Sequence, residues 1–191
     1  MNKGFATQLV KGFMKLIFRI EINGAENLPE NGGCMVCSNH ISNWDPVLLQ
    51  CFLPRMISFM CKEEMAHIPL INSLLRSQHT VFVKRGKGDI GAMRACMKSI
   101  DEGRALGIFP TGTREKKHPG AKPKSGAALI AAKTGTIVVP VSIKADYRLF
   151  SKVKVNIGKP IDYSSLKGQK LSSDELAEMT EEIYDKIKNN Y

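Results

Sequence analysis

A histidine and an aspartate five residues apart, His40 and Asp45, lie in Ser38-Asn39-His40-Ile41-Ser42-Asn43-Trp44-Asp45-Pro46, directly after the apolar run Cys34-Met35-Val36-Cys37. Neighbours on one helical face stand three or four apart, so these two side chains meet only if the chain turns between them. A strand end running into a helix start is the simplest such turn. A neutral imidazole oriented by a carboxylate is a general base that works near pH 7. The residues alone leave a plainer assignment open. Asp45 before Pro46 also fits a helix N-cap with proline at the first helical position, which would make His40 a loop histidine. The two are compatible, because a capping carboxylate keeps a second oxygen for an imidazole.

Cations recur at similar places. Val81-Phe82-Val83-Lys84-Arg85 reads as a strand ending in two basic residues, and ligands of open α/β sheets bind beyond the carboxyl ends of strands. A guanidinium there is a candidate phosphate ligand, with a solvated strand end as the alternative. Ile108-Phe109-Pro110-Thr111-Gly112-Thr113-Arg114 is a second strand followed by a glycine turn and a cation. Pro123-Lys124-Ser125-Gly126 then opens an alanine-rich helix, whose unpaired amides favour an anion. Gly86-Lys87-Gly88-Asp89-Ile90-Gly91 matches the dinucleotide glycine pattern. However, two charged residues separate it from its strand, and the next strand ends without an acid to take a ribose hydroxyl. It is better read as a loop capping a helix at Asp89. Neither a G-x-S-x-G elbow nor a Walker loop is present, which argues against a serine hydrolase or a P-loop ATPase.

These residues need a scaffold, and the chain supplies a pattern for one. Strands are predicted at 19–23, 34–38, 56–60, 80–84, 106–109, 137–143 and 153–157, and helices at 46–52, 71–76, 90–102 and 125–134. A last helix spans 173–189, opened by a capping box of Ser172 with Glu175 and carrying a core stripe of Leu176, Met179, Ile183 and Ile187. Alternating strands and helices predict a single α/β domain with a largely parallel or mixed sheet flanked by helices. The 191 residues suffice to bury roughly 70% of the unfolded chain's surface.

Composition narrows the partners. With 28 basic and 18 acidic residues the net charge is +10, which favours anionic partners. Nucleic-acid binding lacks interleaved aromatics or a motif and is not expected. Five cysteines are an odd number in apolar surroundings, so reduced buried thiols are expected rather than a disulfide framework. In a strand, Cys34 and Cys37 point to opposite faces and no second ligand pair follows, so no metal site is expected. There is no apolar run long enough for a transmembrane helix, and Lys11, Lys15 and Arg19 interrupt any signal-peptide core. Phe5, Leu9, Val10, Phe13, Met14, Leu16 and Ile17 form a broad apolar helical face with the three cations opposite. That pattern suits a helix lying in a membrane interface; a helix docked on its own core is the alternative.

In this order the segments resemble the glycerolipid acyltransferase family, and within it the bacterial 1-acylglycerol-3-phosphate acyltransferases. Its first block, Asn-His-x4-Asp, is matched by Asn39, His40 and Asp45. Its second, an apolar strand ending in arginine, is matched by Phe82-Val83-Lys84-Arg85. Phe-Pro-Glu-Gly-Thr-Arg is matched by Phe109, Pro110, Gly112, Thr113 and Arg114, and the strand with proline by Ile137-Val138-Val139-Pro140-Val141. The match spans about residues 19–160.

The amphipathic pattern gives a membrane-interface helix over 1–18, and the resemblance implies an acyltransferase domain over 19–191. It implies His40 as base and Asp45 as its orienter. Asn39, Lys84, Arg85, Thr111, Gly112, Thr113, Arg114 and Lys124 would bind substrate, with Gly112 and nearby amides facing the oxyanion. A fatty acyl group would pass directly from acyl-CoA or acyl carrier protein to the hydroxyl of 1-acylglycerol 3-phosphate, giving phosphatidic acid with no further cofactor. The protein would lie peripherally on the cytoplasmic face of an anionic membrane. Other lyso-lipids and glycerol 3-phosphate are the alternative acceptors. One position departs: Thr111 stands where the family has glutamate. Threonine keeps a hydrogen-bonding group and loses the charge, which leaves open a changed acceptor, lower activity or a non-catalytic lipid-binding member. Glu115 lies beyond the glycine turn and is not expected to substitute.

Overall fold

The computed structural model describes residues 4–62, 78–83 and 90–190. The elements in chain order are α1 (Phe5–Ile17), β1 (Arg19–Asn23), β2 (Cys34–Ser38), α2 (Trp44–Phe52), β3 (Ile57–Lys62), β4 (Val81–Val83) and α3 (Ile90–Asp101). They continue with β5 (Ala105–Ile108), α4 (Gly126–Thr134), β6 (Ile137–Ala145), β7 (Lys152–Ile157), β8 (Ile161–Asp162) and α5 (Ser173–Lys188). The predicted helix over 71–76 and the glycine-rich 86–89 stretch lie outside the described residues. The two-residue β8 carries no periodicity and was not predicted.

The strands form one mixed sheet in the order β1-β7-β6-β2-β5-β3-β4, with β8 beside β6. β2 pairs in parallel with both β5 and β6, and β3 pairs in parallel with β5 and β4. The carboxyl ends of β2 to β6 therefore share one edge. β7 runs antiparallel to β6, and β1 parallel to β7, so the start of β1 and the end of α1 reach that same edge. The described segments singled out for chemistry lie at that edge.

Side chains alternate across each strand. Cys34 and Val36 enter one core with Leu48, Leu49, Val139, Val141, Val153 and Val155, beneath α1 and α2. Met35 and Cys37 enter the other, with Leu106, Val138, Ile183 and Ile187 under α3, α4 and α5. The two thiols thus lie on opposite faces, and burial pushes that of Cys37 up to about 12. α5 closes the second core through its Met179, Ile183 and Ile187, and its capping box is formed: Ser172 N–H donates to Glu175 at 2.7 Å and Glu175 N–H to Ser172 Oγ at 3.2 Å.

Gly107 in β5 is Phe59's Cα partner in β3. A methyl group at Gly107 would stand 2.4 Å from the Phe59 ring. Gly107→Ala is therefore expected to cost about 1–3 kcal/mol, because the ring must leave its place in a close-packed core. Chemical denaturation should show a lower midpoint with an unchanged slope; an unaltered midpoint would mean that the ring has room to move.

Candidate active site

His40 and Asp45 meet at the sheet edge, with His40 Nδ1 2.7 Å from Asp45 Oδ2. Asp45 is fully buried. Its Oδ2 also accepts the backbone N–H groups of Ile41 and Ser42, each at 2.7 Å, and its Oδ1 accepts the Tyr147 hydroxyl at 2.7 Å. Charge-assisted bonds of this kind are what allow a carboxylate to be buried. With Nδ1–H donating to Asp45, Nε2 of the neutral ring carries the lone pair that can take a proton.

The local fold differs from the N-cap reading of Asp45. α2 begins at Trp44, its N-cap is Asn43, and no side chain caps it. Asp45 sits inside the first turn, where its carboxylate turns back to the loop amides, His40 and Tyr147. Those donors outcompete the helix amides because they surround both oxygens. Pro46 falls in the same first turn, where a missing N–H costs nothing.

Stacking also fixes the imidazole. It stacks on Phe109, with centroids 4.1 Å apart and planes 17° from parallel, and Phe109 stacks in turn on Phe59 at 5.7 Å. The absent side chain at Gly107 thus makes room for the ring column that ends at His40. Asn39 is buried, and its amide works as an extra strand residue. Its Nδ2 donates to the Ile143 carbonyl at 2.9 Å and Ile143 N–H donates to its Oδ1 at 2.7 Å. This ties the end of β2 to β6 and sets where His40 leaves the sheet.

The β5–α4 loop closes the other side. Thr111 is buried, and its hydroxyl donates to the Thr113 carbonyl at 2.8 Å, bracing the turn from within. Gly112 has φ +66°, and its N–H donates to the Phe109 carbonyl at 2.9 Å. That donor is engaged within the turn. The Lys124 side chain crosses over Gly112, its Nζ 3.5 Å from where a Cβ would stand. Arg114 Nη1 donates to Asn43 Oδ1 at 2.7 Å, placing the guanidinium beside the His40–Asp45 loop. The next residue doubles back: Glu115 N–H donates to the His40 carbonyl at 2.8 Å. Burial, and then the charge of Asp45, raises the Glu115 carboxyl above its usual range, so this acid lies nearer the pair than its place after the glycine turn suggested. Lys84 and Arg85 lie outside the described residues.

An open depression of about 340 Å³ is lined by Ile41, the residue after His40, and by Lys116, Ile143, Lys144 and Ala145. Nearby, α1 divides its apolar residues between two tasks. Met14 is buried, and Val10 and Ile17 pack on the core. Phe5, Leu9, Phe13 and Leu16 are between 53% and 80% exposed, a stripe on the other side. The helix is thus docked on the core along one side and leaves a second apolar stripe exposed.

Sequence reasoning did not find Tyr147. The signal available was its place two residues beyond the carboxyl end of β6, the kind of position that had drawn attention to Arg85 and Arg114.

A model of the acyltransferase family matches residues 19–144. The 1-acyl-sn-glycerol-3-phosphate acyltransferase of Bacillus subtilis is 30% identical over 194 residues, covering 96% of this chain and 94% of its own length. The protein of the same name from Borreliella burgdorferi is 30% identical over 136 residues, 70% of this chain and 54% of its own. The chain thus spans about half the length of the Borreliella protein and nearly all of the Bacillus one. The crystal structure of the 1-acyl-sn-glycerophosphate (LPA) acyltransferase PlsC from Thermotoga maritima superposes with a TM-score of 0.71 at 28% identity, covering 96% of this chain and 77% of that one.

Proposed function

This chain belongs to the acyltransferase family, and on that premise we propose that it moves a fatty acyl group from a thioester, acyl-CoA or acyl carrier protein, to the hydroxyl of 1-acylglycerol 3-phosphate. The observation that carries this reading is the 2.7 Å contact of His40 with a fully buried Asp45 at the carboxyl edge of the sheet. A thiol has a pKa of ~8.5 and leaves with little help, so the acceptor hydroxyl is the partner that needs activation. His40 Nε2 takes the hydroxyl proton as its oxygen attacks the thioester carbon, and Asp45 stabilises the imidazolium that forms. The C–S bond breaks, the thiolate takes up the proton, and the acyl group passes over directly.

Arg114 beside the pair and Lys124 over Gly112 suit the acceptor's phosphate, a role the family resemblance also implies for Lys84 and Arg85. The chain would rest on the cytoplasmic face of an anionic membrane through the exposed stripe of α1 and its lysines. Among the described residues no helix is long and apolar enough to cross a membrane.

Arg114→Ala is expected to raise the acceptor KM about 10- to 100-fold with a smaller change in kcat, since the lost bond serves the phosphate in both ground and transition states. Steady-state kinetics with 1-acylglycerol 3-phosphate and its phosphate-free analogue check this, because the variant should narrow the gap between the two. An unchanged KM would contradict the role. Thr111 supports a second reading, a lipid-binding member without turnover, because its hydroxyl is consumed within the turn. A wild-type chain silent with every acceptor, beside an active Thr111→Glu chain, would favour it.

A further inference from the structure

Tyr147 belongs to a loop, Asp146 to Ser151, that joins two different surfaces. Its hydroxyl holds Asp45 Oδ1, the carboxylate oxygen that His40 does not use. Its ring meets Phe18 edge-on at 5.5 Å, and Phe18 meets Trp44 of α2 at 6.1 Å. Two residues on, Leu149 and Phe150 are 66% and 59% exposed. Phe150 N–H donates to the Ile17 carbonyl at 2.7 Å, so this apolar tip lies against the end of α1 and continues the stripe that Leu16 closes. Tyr147 and Phe150 both hold left-handed backbone, at φ +54° and +60°. Aromatic residues avoid that region unless their surroundings impose it, and such strain gathers at functional positions. Arg148 is exposed in the same loop, α1 carries Lys11 and Lys15 and no acid, and Asp146 is the one acid of the loop.

We propose that Tyr147 is a positioning residue for the His40–Asp45 pair and that its loop sets Leu149 and Phe150 into the anionic phospholipid surface on which the acceptor lies. An exposed apolar tip next to Arg148, on a chain of net charge +10, fits such a surface by charge as well as by hydrophobicity. Contact with lipid and alignment of the base would then be properties of one six-residue loop. This inference rests on the acyltransferase reading, and its tests are separable from it.

The full chain is first sedimented with phosphatidylglycerol vesicles. Leu149→Ser with Phe150→Ser should bind at least about tenfold more weakly than the wild type, while neutral phosphatidylcholine vesicles should bind both chains poorly. Equal binding to anionic vesicles, or a wild-type chain that self-associates through this face and ignores vesicles, would overturn the lipid assignment.

Tyr147→Phe removes one hydroxyl and keeps the ring. Glu115 and Arg114 from the β5–α4 loop are the charged neighbours on the loop side of the pair, with Lys188 of α5 acting on Glu115. Asp45, stripped of one donor, becomes a stronger acceptor for an imidazolium. The Nδ1 proton resonance of His40 in NMR, which reports its bond to Asp45, should therefore shift in the variant, with vesicle binding intact. Turnover should fall about 10-fold through kcat, with the acceptor KM little changed. A His40 resonance and a kcat identical to the wild type would overturn the positioning role. A wild-type chain with no turnover on any acceptor would count against the acyltransferase reading alone, since neither the vesicle nor the NMR result depends on it.

Discussion

His40→Ala is expected to lower acyl transfer at least about 10³-fold with the fold intact. A positioned general base contributes about 10² to 10⁴ in rate, and neither Asp45 nor Tyr147 can replace it. Of the groups nearby, Asp45 is buried and saturated with donors, and the Tyr147 phenol is held protonated by burial and by Asp45's charge. Stability should change little, because the ring is partly exposed and stacks on one face only. Turnover assays beside thermal unfolding check both halves. A variant that unfolds early would show instead that the stacked ring column is structural.

The second large effect lies at Asp45, where charge and packing can be separated. Asn keeps the shape. Its oxygen can take the place of Oδ2 and its amide can donate to the Tyr147 oxygen. Asp45→Asn should therefore fold yet lose about 10² to 10⁴ in kcat/KM, since nothing negative remains to stabilise the imidazolium. Asp45→Ala should lose the same activity and also about 3 kcal/mol of stability. It strands the N–H groups of Ile41 and Ser42 and the Tyr147 hydroxyl in a site closed to water. Denaturant titration of the two variants distinguishes them. Equal stability would mean that the loop relaxes to solvent and that the carboxylate is not its keystone.

What was legible in the sequence was mostly local. Strand runs and helix periodicity report on a residue's own neighbours, and they marked the strands and helices of the described core to within a few residues. The spacing of His40 and Asp45 is local too, and it forced the turn that brings them together. The tertiary partners were not legible. Tyr147 lies 102 residues from Asp45 and Ile143 lies 104 from Asn39, and both contacts depend on β6 lying beside β2, a register that no periodicity encodes. Asp45 shows the cost: read locally it is a helix cap, whereas distant donors decide where its oxygens point. Gly107 gave no signal because its role is to be absent beneath Phe59. In α1 the helical wheel showed one broad apolar face, and only the packed structure divides it between the core and the surface.

The most direct measurement of the central claim is thiol release in rapid-mixing experiments. The wild-type chain is mixed with an acyl-thioester in phospholipid vesicles, with or without 1-acylglycerol 3-phosphate. Activation of the acceptor by His40 predicts thiol release only when acceptor is present, one thiol for each phosphatidic acid formed, and none from His40→Ala. A burst of thiol equal to the enzyme concentration without acceptor, or turnover that survives in His40→Ala, would contradict it.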